Sequence, residues 1–306
     1  MDAVCRVKTT QLEHGAGSAT ISVFLHTVDV GNCLDPVQII EKLIPVSSST
    51  EISAYRRLLN VHPQSQSEMH AKHPKIYRIL DEGELVRIYM EYIQGRELVV
   101  NFSSARAVGA ALGGMSHRYG QVFSDSAPYD KGRTKGAHFA ADESSIIEIM
   151  GKTKESNEVL QAIEDFRGAK KKITDWQNTA LRVFCHNDMK STNAIVPSNR
   201  PLTIYVIDWA SPGYDSAGSD IGGLFLNSKF ALLEQNGKAR DIEEALFIGY
   251  LAGLGVGKNV LCLDDIRLAA NLHFAVRFFS WAIKSKNKKL LLRCSRRANA
   301  VVKLLS

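Results

Sequence analysis

The fold of this chain is decided by residues 185–196, which read CHNDMKSTNAIV. Three of the four residues before this segment, LRVF, are apolar, and so are its last three residues, AIV. The polar residues between them are therefore expected to form a loop between two short buried strands. Such a loop presents Asp188 after the first strand and returns Asn193 into the second. Taken singly, each would more often be a turn-forming residue.

Two further aspartates follow at short intervals. Asp208 comes fifteen residues after Asn193, at the end of the apolar run YVI, and Asp220 comes twelve residues after Asp208, within GSDIG. Asp188, Asn193 and Asp208 can therefore converge at one edge of a small sheet. Phosphoryl transfer needs such a set, because a carboxylate orients the attacking hydroxyl and hard oxygen ligands hold the Mg²⁺ that bridges the phosphates. Asp188 suits the first role, and Asn193 and Asp208 suit the second.

The order and spacing of these residues resemble the aminoglycoside phosphotransferase and choline kinase superfamily, which is related to protein kinases. The pattern His-x-Asp-x-x-x-x-Asn is matched from His186 to Asn193, VIDW around Asp208 is similar to the family's second metal-binding carboxylate, and Asp220 resembles the aspartate that braces the loop. The resemblance implies an α+β, bilobal protein kinase-like fold with a small N-terminal β-rich lobe and a larger C-terminal helical lobe. It also implies ATP and Mg²⁺ as cofactors, with Asp188 as catalytic base.

The resemblance further implies that the N-terminal lobe holds the nucleotide. Gly15, Gly17 and Ser18 precede an apolar strand at 21–30, where glycines let backbone amides approach phosphate oxygens, although such a turn is common in simple hairpins.

Lys42 lies inside a second apolar strand, 39–44, where a lysine either reaches solvent or meets an anion. It resembles the superfamily's phosphate-binding lysine, and Glu51, nine residues on, resembles its ion-pair partner. Because side chains alternate along a strand, Glu41 and Lys42 are expected on opposite faces, and the alternative is that both are surface charges.

The residues MEYIQGREL around Glu91 and Ile93 resemble the hinge between kinase lobes, whose backbone pairs with adenine. Before this point the sequence favours strands with one helix, and after it helices predominate, with short strands at 181–184 and 202–207. The prediction is an N-terminal nucleotide-binding lobe, 1–93, and a C-terminal catalytic and acceptor-binding lobe, 94–306.

The acceptor is predicted to be a small molecule, because twelve residues between Asp208 and Asp220 leave no room for a peptide-docking activation segment. CHND and DIGGLF are similar to choline and ethanolamine kinases. Lys190 departs from that pattern and resembles the protein-kinase lysine that contacts the transferring phosphate, the alternative being a solvent-facing loop lysine.

Four aromatic residues at helical spacing could line a site for a quaternary ammonium group, although core packing is the more common role of such a set. They are Phe274, Phe278, Phe279 and Trp281. An amino alcohol is the first acceptor hypothesis, an aminoglycoside or sugar the second, and a non-catalytic nucleotide-binding regulatory module the third.

The net charge of +6 comes from the C-terminal end of the chain. Residues 284–306 contain five lysines, three arginines and no acid, a charge of +8, which leaves −2 for the rest of the chain. Without interleaved aromatic residues, this segment predicts a solvated helix face with an apolar side, and no nucleic-acid partner is expected.

No apolar run is long enough to span a membrane, and the first residues do not resemble a signal peptide. A cytoplasmic location is expected, and the five scattered cysteines predict neither disulfides nor a zinc site.

Overall fold

The computed structural model describes residues 5–12, 20–30, 35–61, 70–123, 143–200, 203–257 and 259–306. The contacts among these residues divide the chain into two compact units. The first unit comprises Met1–Leu98 and Thr192–Pro212, and the second comprises Val99–Ser191 and Gly213–Ser306. The first unit therefore takes in residues 192–212, which the sequence analysis placed in the C-terminal lobe.

In chain order, the described strands and helices have the following bounds. They are β1 (Cys5–Leu12), β2 (Ser22–Val30), β3 (Val37–Pro45), α1 (Ser49–Leu59), β4 (Ala71–Lys72), β5 (Ile76–Glu82), β6 (Leu85–Glu91), β7 (Gly95–Glu97), α2 (Ala105–Val122), α3 (Glu143–Met150), α4 (Lys154–Gly168), α5 (Lys170–Thr179), β8 (Arg182–Cys185), a 3₁₀ turn (Ser191–Asn193), β9 (Ala194–Pro197), β10 (Ile204–Val206), β11 (Gly213–Ser216), α6 (Ser219–Leu224), α7 (Ser228–Gln235), α8 (Ala239–Leu254), α9 (Leu263–Lys284) and α10 (Lys288–Leu304).

The main sheet of the first unit is antiparallel, with the strand order β1-β2-β3-β6-β5. β2 and β3 correspond to the predicted strands at 21–30 and 39–44, and α1 is the one helix expected in the N-terminal lobe. β1 was not predicted, because its sequence, CRVKTTQL, lacks the alternation of a half-buried strand. Within the described part of the chain β1 pairs only with β2, and most of its side chains are exposed, so it forms an edge of the sheet.

A second sheet of the first unit explains why residues 192–212 belong there. Its order is β4-β10-β9-β7. β9 and β10 form an antiparallel pair, β10 also pairs in parallel with β4, and β9 pairs with β7. These backbone hydrogen bonds tie the chain after the CHNDMKSTN segment to strands that come before residue 98.

The second unit is mainly helical, and its one sheet among the described residues is the antiparallel pair of β8 and β11. Its core contains a cluster of buried aromatic rings, in which Phe274 of α9 lies 6.3 Å from Phe225 and 5.1 Å from Phe278 between ring centroids. No helix in the described part of the chain is long and apolar enough to cross a membrane.

The basic C-terminal segment forms α10, and its apolar side, which includes Leu290, Leu291 and Val301, is buried as predicted. Its charges are less exposed than predicted. Arg297 is buried and pairs with Glu234 and with Glu243. Part of the basic character of this segment therefore neutralises acidic side chains inside the second unit.

Candidate active site

The first unit contains a buried ion pair between β3 and α1. Lys42 Nζ lies 2.5 Å from Oε1 of Glu51, and both residues are buried. Glu51 stands in the first turn of α1, where the helix dipole also favours a negative charge. The predicted partnership of Lys42 and Glu51 is thus present in the structure, although the roles that the resemblance gives them stay a prediction.

The neighbouring Glu41 shows that neither charge on β3 is at the surface. Glu41 is buried, with His26 Nε2 2.7 Å from its Oε2 and Arg87 bound to its other oxygen. Glu41 and Lys42 have separate partners, as the alternation of a strand requires. The alternative of two solvent-facing charges is therefore wrong.

Lys42 also contacts Asp208, which follows β10. The distance from Lys42 Nζ to Asp208 Oδ1 is 2.7 Å, and 28% of the Asp208 side chain is exposed. Asp208 has a φ of 61°, a left-handed conformation that costs a non-glycine residue about 1–2 kcal/mol and that Asp tolerates better than most. Such conformations cluster at functional sites.

The surroundings of Lys42 keep it charged. Burial lowers its pKa, but the nearby Tyr55, Asp208 and Glu51 raise it by more, so that its pKa lies above the ordinary value for lysine. The ammonium group also lies 5.6 Å from the centre of the Tyr55 ring, which adds a favourable cation–π contact. Lys42 is thus a fixed positive charge, suited to bind phosphate oxygens.

Asn193 and Asp208 lie at the same end of the β9–β10 pair. Asn193 directly precedes β9, and its carbonyl accepts a hydrogen bond of 2.9 Å from the N–H of Ile207, the residue before Asp208. One amide and one carboxylate oxygen match the hard ligands that Mg²⁺ prefers. Among the described residues, no three His, Cys, Asp or Glu side chains form a metal-binding group.

The predicted adenine contacts start at the end of β6. The Glu91 N–H donates to the carbonyl of Lys75 at 2.8 Å, so a contact of Glu91 with adenine depends on its carbonyl. Ile93 lies between β6 and β7, in a segment without regular secondary structure. Gly15, Gly17 and Ser18 lie outside the described residues.

The second unit contains the predicted catalytic base. Asp188 follows β8, and 15% of its side chain is exposed. Lys190 Nζ lies 3.2 Å from its Oδ2, and Nη2 of Arg277, on α9, lies 3.0 Å from its Oδ1. Burial raises the pKa of Asp188, but Lys190, Arg277 and His186 lower it by more, so that Asp188 is an ionised carboxylate at neutral pH.

The loop that carries Asp188 is fixed by Asp220. The two carboxylate oxygens of Asp220 accept hydrogen bonds of 2.8 Å from the backbone N–H groups of His186 and Asn187. Asn187 has a φ of 61°, which turns the chain directly before Asp188. His186 is fully buried, and its Nδ1 lies 3.3 Å from the backbone nitrogen of Asp188, so it helps to hold the loop in place.

Two glycines after Asp220 let its helix approach the rest of the second unit closely. A Cβ atom on Gly223 would lie 1.7 Å from the carbonyl oxygen of Met189, and one on Gly222 would lie 2.3 Å from that of Ala270 on α9. α6 therefore approaches closely both the loop that carries Asp188 and the backbone of α9.

The sequence analysis missed Arg277. It lies 89 residues beyond Asp188, outside any local motif. The one sequence feature that could have indicated a role for Arg277 is its position between Phe274 and Phe278, in an otherwise apolar part of the predicted helix. Those two residues and Phe279 are buried, in keeping with core packing, whereas 49% of Trp281 is exposed.

No protein-family model matches this chain, and no curated protein sequence matches it. Solved structures do match. An aminoglycoside phosphotransferase from Alicyclobacillus acidocaldarius has a TM-score of 0.60 at 12% identity, over 97% of this chain and 91% of that one. A spectinomycin phosphotransferase, determined with ADP and spectinomycin, has a TM-score of 0.56 at 14% identity, over 97% and 92%.

An ethanolamine kinase from Plasmodium vivax has a TM-score of 0.52 at 13% identity, over 97% of this chain and 81% of that one. At such low identities these matches establish the fold. The chain has the α+β protein kinase-like fold of aminoglycoside phosphotransferases and ethanolamine kinase. The resemblance recognised in the sequence is confirmed at that level.

Proposed function

We propose that this protein is an ATP- and Mg²⁺-dependent phosphotransferase that moves the γ-phosphoryl group of ATP onto a hydroxyl group of a small molecule. The arrangement of Lys42, which contacts both Glu51 and Asp208, supports this most strongly. A fixed ammonium group next to a partly exposed carboxylate offers one group for phosphate oxygens and another for a metal ion. The ADP complex of the spectinomycin phosphotransferase of the same fold also supports nucleotide use.

In the proposed complex, Lys42 binds the phosphates of ATP, and Glu51 holds Lys42 in place. Asn193 and Asp208 would hold Mg²⁺, which when bound would neutralise the negative charge of the phosphates. Backbone groups of Glu91 and Ile93 bind adenine. Backbone amides of Gly15, Gly17 and Ser18 are proposed to bind the phosphates as well.

Asp188 orients the acceptor hydroxyl and takes its proton, because its ionised carboxylate can accept a hydrogen bond. The hydroxyl oxygen forms a bond to the γ-phosphorus, and the bond from that phosphorus to the bridging oxygen of ADP breaks. The products are ADP and a phosphate monoester, and the proton passes from Asp188 to solvent. Lys190 donates to the oxygens of the transferring group and so offsets their negative charge.

The short interval between Asp208 and Asp220 supports a small-molecule acceptor. This interval contains β11, which pairs along its whole length with β8, and α6 begins directly afterwards, at Ser219. Outside the strand and the start of the helix, only residues 209–212 and 217–218 remain in this interval. Neither stretch is long enough to form a peptide-docking segment of the kind found in protein kinases.

An amino alcohol is the first acceptor class to test, supported by the CHND and DIGGLF motifs and by the ethanolamine kinase of the same fold. The burial of Phe274, Phe278 and Phe279 removes the argument that those rings enclose a quaternary ammonium group. An aminoglycoside or sugar is the alternative. A non-catalytic module ranks below both, because the charged groups around Lys42 and Asp188 are those that catalysis needs.

The test is a phosphorylation screen with γ-labelled ATP and Mg²⁺ across amino alcohols, sugars and aminoglycosides. Transfer of label to at least one alcohol, lost on Asp188→Asn, is the expected result. Binding of ATP without transfer to any alcohol, and with no difference between the wild type and Asp188→Asn, would instead favour the regulatory module.

A further inference from the structure

Asp188 lies between two positive charges. Arg277 contacts its Oδ1 and Lys190 contacts its Oδ2, so these three side chains together carry a net charge of +1. Asp188 must free one oxygen to accept the hydrogen bond of the acceptor. Lys190 has another partner in the proposed reaction, the transferring phosphoryl group, so Oδ2 is the oxygen that it can release. The proposed reaction assigns Arg277 no partner in the nucleotide.

Arg277 is held firmly in its place on α9. Its neighbours Phe274 and Phe278 are buried in the aromatic core, which fixes the rotation of the helix. The backbone of α9 also touches α6 at Gly222, and α6 carries the Asp220 carboxylate that fixes the catalytic loop. The position of Arg277 next to Asp188 is therefore determined by the core of the second unit.

The guanidinium group of Arg277 has N–H donors that its contact with Asp188 does not use. A guanidinium has five N–H donors, whereas the contact with Asp188 is made by Nη2, and 35% of the Arg277 side chain is exposed. Its planar fork binds carboxylate or phosphate oxygens with two parallel hydrogen bonds. A water-accessible arginine beside the catalytic carboxylate is thus suited to bind an oxyanion close to the reacting hydroxyl.

Resting on the proposed function, we propose that the acceptor carries an oxyanion, a carboxylate or a phosphate, near the hydroxyl that is phosphorylated, and that Arg277 binds this group. A carboxylate brings the net charge beside Asp188 from +1 to zero, and a phosphate brings it to zero or below, whereas a purely cationic amino alcohol would add to the positive charge. An amino alcohol that also carries a carboxylate satisfies both the sequence motifs and Arg277.

The experiment compares pairs of alcohols that differ only in the oxyanion. Serine is ethanolamine with an added carboxylate, glycolate is the acid of glycolamide, and glycerol phosphate is glycerol with an added phosphate. Phosphoryl transfer from labelled ATP is measured for each member of each pair. We expect the acidic member of at least one pair to have the higher kcat/KM, and the pair that shows this identifies carboxylate or phosphate.

Three variants assign that preference to Arg277. Arg277→Gln is expected to raise KM for the acidic member by roughly ten- to a hundredfold, the effect of losing a hydrogen bond to a charged group, with a smaller change for its partner. Arg277→Lys, which keeps the charge but not the fork, should restore part of the preference. Lys284→Gln, an equal charge change on the last turn of α9, serves as the control and should leave KM unchanged.

The inference is overturned if no acidic alcohol is phosphorylated, or if the preference for the acidic member persists in Arg277→Gln. Transfer to ethanolamine or glycerol alone would overturn it and still leave the protein a phosphotransferase. Failure of the proposed function is a different result, in which the protein transfers the phosphoryl group of ATP to no alcohol at all, whether or not it binds Mg²⁺·ATP.

Discussion

Lys42 and Glu51 form an ion pair in which 8% of the lysine side chain and 2% of the glutamate side chain are exposed to solvent. Removing one partner from such a pair leaves a charge that solvent cannot reach. We therefore expect Glu51→Gln to lower the free energy of unfolding by about 3–5 kcal/mol, although Asp208 remains near Lys42. Denaturant titration at neutral pH measures this change.

The ion pair of Arg56 and Asp81 provides the control. Arg56 Nη2 lies 2.6 Å from Asp81 Oδ1, but 54% of the arginine side chain and 64% of the aspartate side chain are exposed. Asp81→Asn should cost no more than about 1 kcal/mol. Equal losses in Glu51→Gln and Asp81→Asn would show that the burial of the Lys42 pair has no energetic consequence.

The second prediction concerns the proposed base. Asp188→Ala should lower kcat by about 10²- to 10⁴-fold, the range for a lost general base, while the Kd for Mg²⁺·ATP changes little. Initial rates and calorimetric titration of ATP separate the two quantities. Asp264→Ala, which removes an exposed carboxylate on α9, is the control. A mild and equal effect of Asp188→Ala on kcat and on ATP binding would argue against a base.

Gly223 tests the contact between α6 and the catalytic loop. A Cβ atom there would overlap the Met189 carbonyl, so Gly223→Ala must displace the loop next to Asp188. We expect a loss of about 1–3 kcal/mol in the free energy of unfolding, together with a lower kcat.

Gly168 offers a matched substitution, because nothing lies within 4 Å of an added Cβ and the residue ends α4. Gly168→Ala should be neutral or stabilising by up to about 1 kcal/mol. Similar stabilities of the two alanine variants would mean that α6 does not depend on this close approach.

The buried Asp220 should make stability depend on pH. Burial raises its pKa to about 7, although the N–H groups of His186 and Asn187 act in the opposite direction. Between the ordinary aspartate pKa and 7, the folded state therefore binds the additional proton. The contribution of Asp220 to the free energy of unfolding should fall as the pH rises through this window, by up to about 1.4 kcal/mol per pH unit, and level off above pH 7.

Asp220→Asn removes this titration, so the difference in stability between wild type and variant should shrink from about pH 4 to pH 7. Denaturant titrations at several pH values measure it. A difference that is constant across this range would show that Asp220 is ionised throughout.

The parts of the site that could be predicted are those encoded locally. Asp188 and Asn193 lie within one short loop, and Lys42 and Glu51 are nine residues apart, so each pair stands in a recognisable pattern. Arg277 could not be predicted in the same way. Its contact with Asp188 depends on how α9 packs, which no pattern in the catalytic loop contains.

The same limit explains the errors on charge. The burial of Glu41 could not be predicted from its own strand, because its partners, His26 and Arg87, lie on β2 and β6. Arg297 belongs to a strongly basic segment, yet it is buried against Glu234 and Glu243, which lie on two other helices. Local charge predicts exposure only where tertiary packing brings no partner, and packing is not visible in a local pattern.

The proposed function depends most on Asp208 as a ligand of the nucleotide-bound metal ion. Calorimetric titration of ATP, with Mg²⁺ and with a chelator, into wild type and Asp208→Ala tests this role directly. Tight binding is expected only for the wild type with Mg²⁺, and the Mg²⁺ effect should be lost in Asp208→Ala. Equal, Mg²⁺-dependent binding by both proteins would contradict it.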